Sequence, residues 1–75
     1  MEYSILIHQA EEGGFWSEVP ALPGCHSQGE TVEETIANTK EAIELMISCL
    51  REDNREIPVE EKFTVHRVCV DTITE

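Results

Sequence analysis

Apolar positions along this chain change their period twice, and the changes mark out its elements. "YSILIHQ" alternates as a strand does, with Tyr3, Ile5 and Ile7 on one side and Ser4, Leu6 and His8 on the other. The run stops at the turn signal Glu11–Gly14 and resumes in "FWSEV", the arrangement of a β-hairpin. Phe15, Ser17 and Val19 then oppose Trp16 and Glu18, and "CHSQ" makes a short third strand ended by Gly29. From Val32 the period lengthens. Val32, Ile36, Thr39, Ile43, Met46, Ile47 and Leu50 recur at steps of three and four, the stripe of an amphipathic helix. It fades near Glu52–Asn54, which gives about 20 residues and ~30 Å of helix. After a polar linker broken by Pro58, the β-branched run "KFTVHRVCVDTI" reads as a fourth strand.

The expected elements are strands at 3–9, 15–19, 25–28 and 62–71 and a helix at 32–52, all within a single domain of residues 1–75. The order β-β-β-α-β predicts an α+β fold of two layers, an antiparallel-rich sheet with one long helix on one face. A lone helix covers one face only. Ile5, Ile7, Phe15 and Val19 are placed beneath it, which leaves Leu6, His8 and Trp16 on the uncovered face, with Glu18 on the Trp16 side of its strand. These four residues are the candidate partner-binding set, because an exposed tryptophan among apolar neighbours suits an interface.

Between the second strand and the helix, "EVPALPGCHSQGETVEE" gathers Pro20, Leu22, Pro23, Gly24, Cys25 and Gly29 into a tight joint. Pro23 fixes φ and Gly24 supplies the positive φ of a type II turn. Thr31 and Glu34 have capping-box spacing, in which each side chain bonds the other's backbone N–H. Read this way, the joint is geometry and Cys25 is packing. Prolines narrow the unfolded ensemble and hold the adjoining sheet surface preformed.

Charge says more about partners than any motif does. Sixteen Asp and Glu stand against five Lys and Arg in 75 residues, a net charge of -11. Such a surface repels phosphate backbones and favours a basic protein as partner, with fast, salt-sensitive association. Three cysteines with no CxxC pair do not make a disulfide framework, and core packing is the default for Cys49 and Cys69. The N-terminus lacks a basic n-region and has too short an apolar run for a signal peptide or membrane span, so a cytoplasmic protein without a membrane segment is expected.

Candidate chemistry adds little. Cys25 and His26 are adjacent, but neighbours in a strand point to opposite faces, so His26 is badly placed as a base for Cys25. The three Cys and three His have no zinc-like spacing, and no cofactor is expected. A metal-dependent nuclease needs several carboxylates in one cleft, and only Glu18 and Asp71 lie in or beside predicted strands. The expectation is a protein that is not an enzyme.

Taken together, "YSILI" and "GGFWSEVPALPGCHSQGETVEETIANTKEAIELMI" resemble the HicB family of antitoxins over roughly residues 3–50. The resemblance implies a partial ribonuclease H-like fold without a carboxylate cluster. It implies an antitoxin of a type II toxin-antitoxin system that neutralises a basic, HicA-like, mRNA-cleaving toxin by occlusion. Many relatives carry a C-terminal DNA-binding segment; none is recognisable here, so direct DNA binding is not expected of this chain. A homodimer or higher homo-oligomer is expected from the open sheet face and the edges of the terminal strand. The rival readings are an orphan acidic adaptor for another basic protein and a degenerate nuclease using Glu18 and Asp71.

Overall fold

A computed structural model describes residues 1–72 of the chain. Three strands, β1 (Leu6–Gln9), β2 (Phe15–Glu18) and β3 (His26–Gly29), precede one helix, α1 (Val32–Glu52). The sheet is antiparallel throughout, in the order β1-β2-β3. The helix packs mainly over β3 and β2. This is the α+β layering that the periodicity predicts, with a first strand that begins at Leu6 rather than at residue 3.

The joint carries the core. After β2 the chain makes two successive turns, closed by Leu22 N–H to Val19 O (2.9 Å) and Cys25 N–H to Leu22 O (3.0 Å). Gly24 sits at φ 87°, as a type II turn over Leu22–Cys25 requires after Pro23. The turns fold inward, so that Val19, Leu22 and Cys25 are the fully buried apolar residues, packed by Tyr3, Ile5, Ala42, Ile43 and Met46.

Gly29 sets how closely the two layers approach. A Cβ there would stand 2.8 Å from both the amide nitrogen and the hydroxyl of Thr35. The first turns of α1 therefore lie directly on the end of β3, and the seam between them is polar. Thr35 and Thr39 are completely buried, as is Ser17 beneath them. Thr39 Oγ1 donates to Thr35 O (2.5 Å), so the 2.6 Å contact with Ser17 Oγ is donated by Ser17, which in turn accepts from Ser27 N–H (3.1 Å). No buried side-chain N or O among the described residues lacks a partner.

That seam rotates the helix from the expected orientation. Thr35, Thr39, Ala42 and Met46 face the sheet, whereas Val32 (39 % exposed) and Ile36 (46 %) lie on the flank. Thr35 occupies the space beside Gly29, where its amide nitrogen and hydroxyl would each stand 2.8 Å from an added Cβ. The helix starts at Thr31, whose hydroxyl accepts Glu34 N–H (3.0 Å). Glu34 Oε1 accepts the N–H of Glu30 (2.7 Å), one residue earlier than the reciprocal bond of a capping box. At the other end Asn54 adopts φ 55°, and the pair Asn54 N–H to Arg51 O and Arg55 N–H to Leu50 O ends the helix as a Schellman motif does.

The fourth strand expected at 62–71 does not form. After α1 the chain returns past the N-terminus, where Tyr3 Oη donates to Pro58 O and Ser4 N–H and Oγ–H both donate to the Glu60 carboxylate. From Glu61 to Thr72 every residue is exposed and none belongs to a strand or helix. β-propensity measures suitability for a pleated surface, and a strand also needs a neighbour to bond. Here the segment leaves the sheet before pairing. Two further corrections concern the cysteines: Cys49 and Cys69 are exposed, not packed in the core.

Candidate partner interface

Strand register brings the four candidate residues together. Leu6 lies opposite Glu18 and Glu18 opposite His26; His8 lies opposite Trp16 and Trp16 opposite Gln28. Because side chains alternate, all six project from the sheet face that the helix leaves bare. The inward positions between them, Ile7 and Ser17, face the helix; Ser17 is completely buried.

At the centre of this face, His8 and Trp16 stack with ring centroids 4.2 Å apart and planes at 22°. His8 Nε2 also stands 2.7 Å from Glu18 Oε2. One imidazole thus joins an aromatic and a carboxylate across the β1–β2 pair and holds both in fixed positions. Trp16 remains 39 % exposed and Leu6 41 %. Both groups of the His8–Glu18 pair are over a third exposed, so its worth lies in orientation more than in energy. The result is a flat apolar centre with an anionic group attached, suited to contact with a cationic, partly apolar surface.

The remaining candidates are distributed by structural role. Leu22 and Cys25 are in the core, and burial pushes the Cys25 thiol pKa above its ordinary value. Pro20, Pro23 and Gly24 form the turns above it, Gly29 the close approach, and Thr31 and Glu34 the helix start. Glu18 faces His8, and Asp71 lies on the exposed C-terminal segment. Among the described residues, no three His, Cys, Asp or Glu side chains stand together as metal ligands would. No helix of the described chain is long and apolar enough to cross a membrane.

Periodicity put Ser17 and Thr39 on the faces that meet, but it missed Thr35 and the Asn38 Nδ2 bond to Gln28 O (2.7 Å) that ties α1 to β3. The available signal was threonine at i and i+4 on a helix, beside a glycine that ends a strand. It also missed His26 and Gln28 as members of the open face, although their strand placement implied it.

Comparison with known proteins gives this geometry a family. Residues 3–70 match the model of the HicB_like antitoxin of bacterial toxin-antitoxin systems. A UPF0150 protein of Thermoplasma acidophilum is 44 % identical over 68 residues, covering 88 % of this chain and 99 % of its own. A UPF0150 protein of Synechocystis is 44 % identical over 59 residues, covering 79 % and 75 %. The fold superimposes on the crystal structure of the N-terminal domain of the Burkholderia pseudomallei antitoxin HicB, with TM-score 0.71, 35 % identity, and coverage of 87 % of this chain and 74 % of that one. The sheet and helix thus have the fold of that domain, and this chain belongs to the HicB-like antitoxins of bacterial toxin-antitoxin systems.

Proposed function

We propose that this chain neutralises a HicA-like, mRNA-cleaving toxin by lying against its basic surface. The observation that carries the reading is the family match over residues 3–70, which makes the role that of an antitoxin. The finer mechanism draws on charge and shape. A net charge of -11 lets a small body compete with RNA for a cationic groove. Leu6, His8, Trp16 and Glu18 offer a preformed surface for the contact, and pre-organisation lowers the entropy lost on binding. The action is occlusion in the cytoplasm, with no bond-making by the antitoxin and no cofactor. The chain works as a homodimer or higher homo-oligomer, and the partial ribonuclease H-like architecture is part of the same proposal.

Co-purification of the tagged chain with the product of the neighbouring open reading frame tests it. A complex at low salt that weakens as salt rises is the expected result. Trp16→Ala should weaken that complex by about 2 kcal/mol, roughly thirtyfold, as loss of an aromatic hot spot does. Absence of a complex at low salt defeats the toxin reading. Unchanged affinity in Trp16→Ala moves the contact to another surface.

A further inference from the structure

The C-terminal segment is the part of the molecule whose exposure the antitoxin reading leaves unexplained. Phe63, Val65, Val68 and Val70 are 51 %, 76 %, 79 % and 73 % exposed, an apolar load that an isolated chain has no reason to carry into water. The segment also stretches the molecule. Its radius of gyration is 15.8 Å and its longest dimension 56 Å, against about 11 Å expected for the radius of a compact chain of this length. The root is not loose, because Glu60 takes two hydrogen bonds from Ser4 and Pro58 takes one from Tyr3. An anchored root beside the start of β1 and an extended arm beyond it make a presented strand.

The chemistry of the arm selects its partner. Residues 62–70 carry Lys62 and Arg67 and no acid, whereas residues 1–61 carry fourteen Asp or Glu against three Lys or Arg. A basic, β-branched strand is repelled by a basic protein and attracted by an acidic one, and the body of this chain is acidic. That body also has an open edge. β1 pairs on one side with β2, and its other side has no strand among the described residues. Alternation puts Phe63 and Val65 on one side of the arm and Val68 and Val70 on the other, so the arm suits a position with neighbours on both faces. Nine extended residues span about 30 Å, ample for the four residues of β1.

We propose that residues 62–70 add as an extra strand to the open edge of β1 in a second copy of this chain, each copy lending its arm to the other. The exchange is isologous and closes at two subunits. It covers the β1 edge of each copy and gives both arms a hydrogen-bonding neighbour. This rests on the homo-oligomer reading above and specifies how that oligomer is built.

Sedimentation and amide hydrogen exchange of the full-length chain test the inference. The wild type should sediment as a dimer at micromolar concentration, with slowed exchange both in residues 62–70 and along β1. The double variant Val65→Asp/Val68→Asp should dimerise at least about tenfold more weakly. It should keep its helical circular dichroism, because the core of Val19, Leu22 and Cys25 contains no arm residue. Val65→Pro, which distorts a strand without adding charge, should act in the same direction. A wild type that stays monomeric at high micromolar concentration overturns both the exchange and the homo-oligomer reading. A dimer that survives both variants, or whose arm exchanges at the unprotected rate, overturns the exchange alone. Arm protection that appears only when a basic protein is added assigns the arm to that protein instead and also overturns it.

Discussion

Gly29→Ala tests the closest contact between the two layers. The added Cβ would meet the Thr35 amide nitrogen and hydroxyl at 2.8 Å and the Glu34 carbonyl carbon at 3.1 Å. Ordinary contacts begin at 3.4 Å, so helix and strand must separate by 0.6 Å, the difference between the two figures. Two of the three offending atoms are backbone, so no rotamer change relieves the clash. Separation also stretches bonds that cross the seam, Ser17 to Thr39 (2.6 Å) and Asn38 to Gln28 (2.7 Å). Overpacking of this kind costs about 1–3 kcal/mol, and the gain from a less flexible unfolded chain returns roughly 0.4–1 kcal/mol. The net expectation is a loss of about 1–2 kcal/mol, equivalent to a fall in Tm of roughly 5–15 °C for a domain of this size. Urea unfolding followed by the helical circular dichroism signal measures it, with the slope m unchanged. A variant within about 0.3 kcal/mol of wild type, or more stable than it, would refute the claim that this glycine sets the layer spacing.

Two further tests address the ends of the same argument. Thr31→Ala removes the hydroxyl that accepts Glu34 N–H and should cost about 1 kcal/mol in the same urea assay, with Thr31→Asn restoring most of it. In native protein, thiol reagents should modify Cys49 readily and Cys25 only on unfolding. Because burial raises the Cys25 pKa above 9.0, the folded state holds that proton more tightly than the unfolded state. Its contribution to stability is therefore complete below pH 9.0 and is lost as pH rises beyond it. Urea midpoints measured upward from that pH should fall more steeply in wild type than in Cys25→Ala; equal slopes would show that the thiol is solvated in the folded protein.

The hairpin, the type II turn, the helix and the bare side of the sheet were all legible in the residues. Each of these follows from local rules: a period of two or 3.6, a Pro-Gly pair, a threonine three residues before a glutamate. Leu6, His8, Trp16 and Glu18 share one face by alternation along the two strands, once the covered face is chosen. The antitoxin resemblance was legible in the same stretch, since the joint is both the most specific motif and the centre of the core.

How the helix is turned depends on packing between the layers. The expected stripe includes Val32 and Ile36, yet both lie on the flank and Thr35 takes the contact, lying against Gly29 while Thr39 bonds Ser17 across the seam. The tertiary structure also decided that His8 binds Trp16 and Glu18 at once, a matter of cross-strand register that periodicity does not fix. Above all, it decided the fate of residues 62–71. β-propensity in that run is a property of the residues, but pairing is a property of two edges and their positions. Within a single chain the root is held at Ser4, and residues 61–72 stay exposed without pairing.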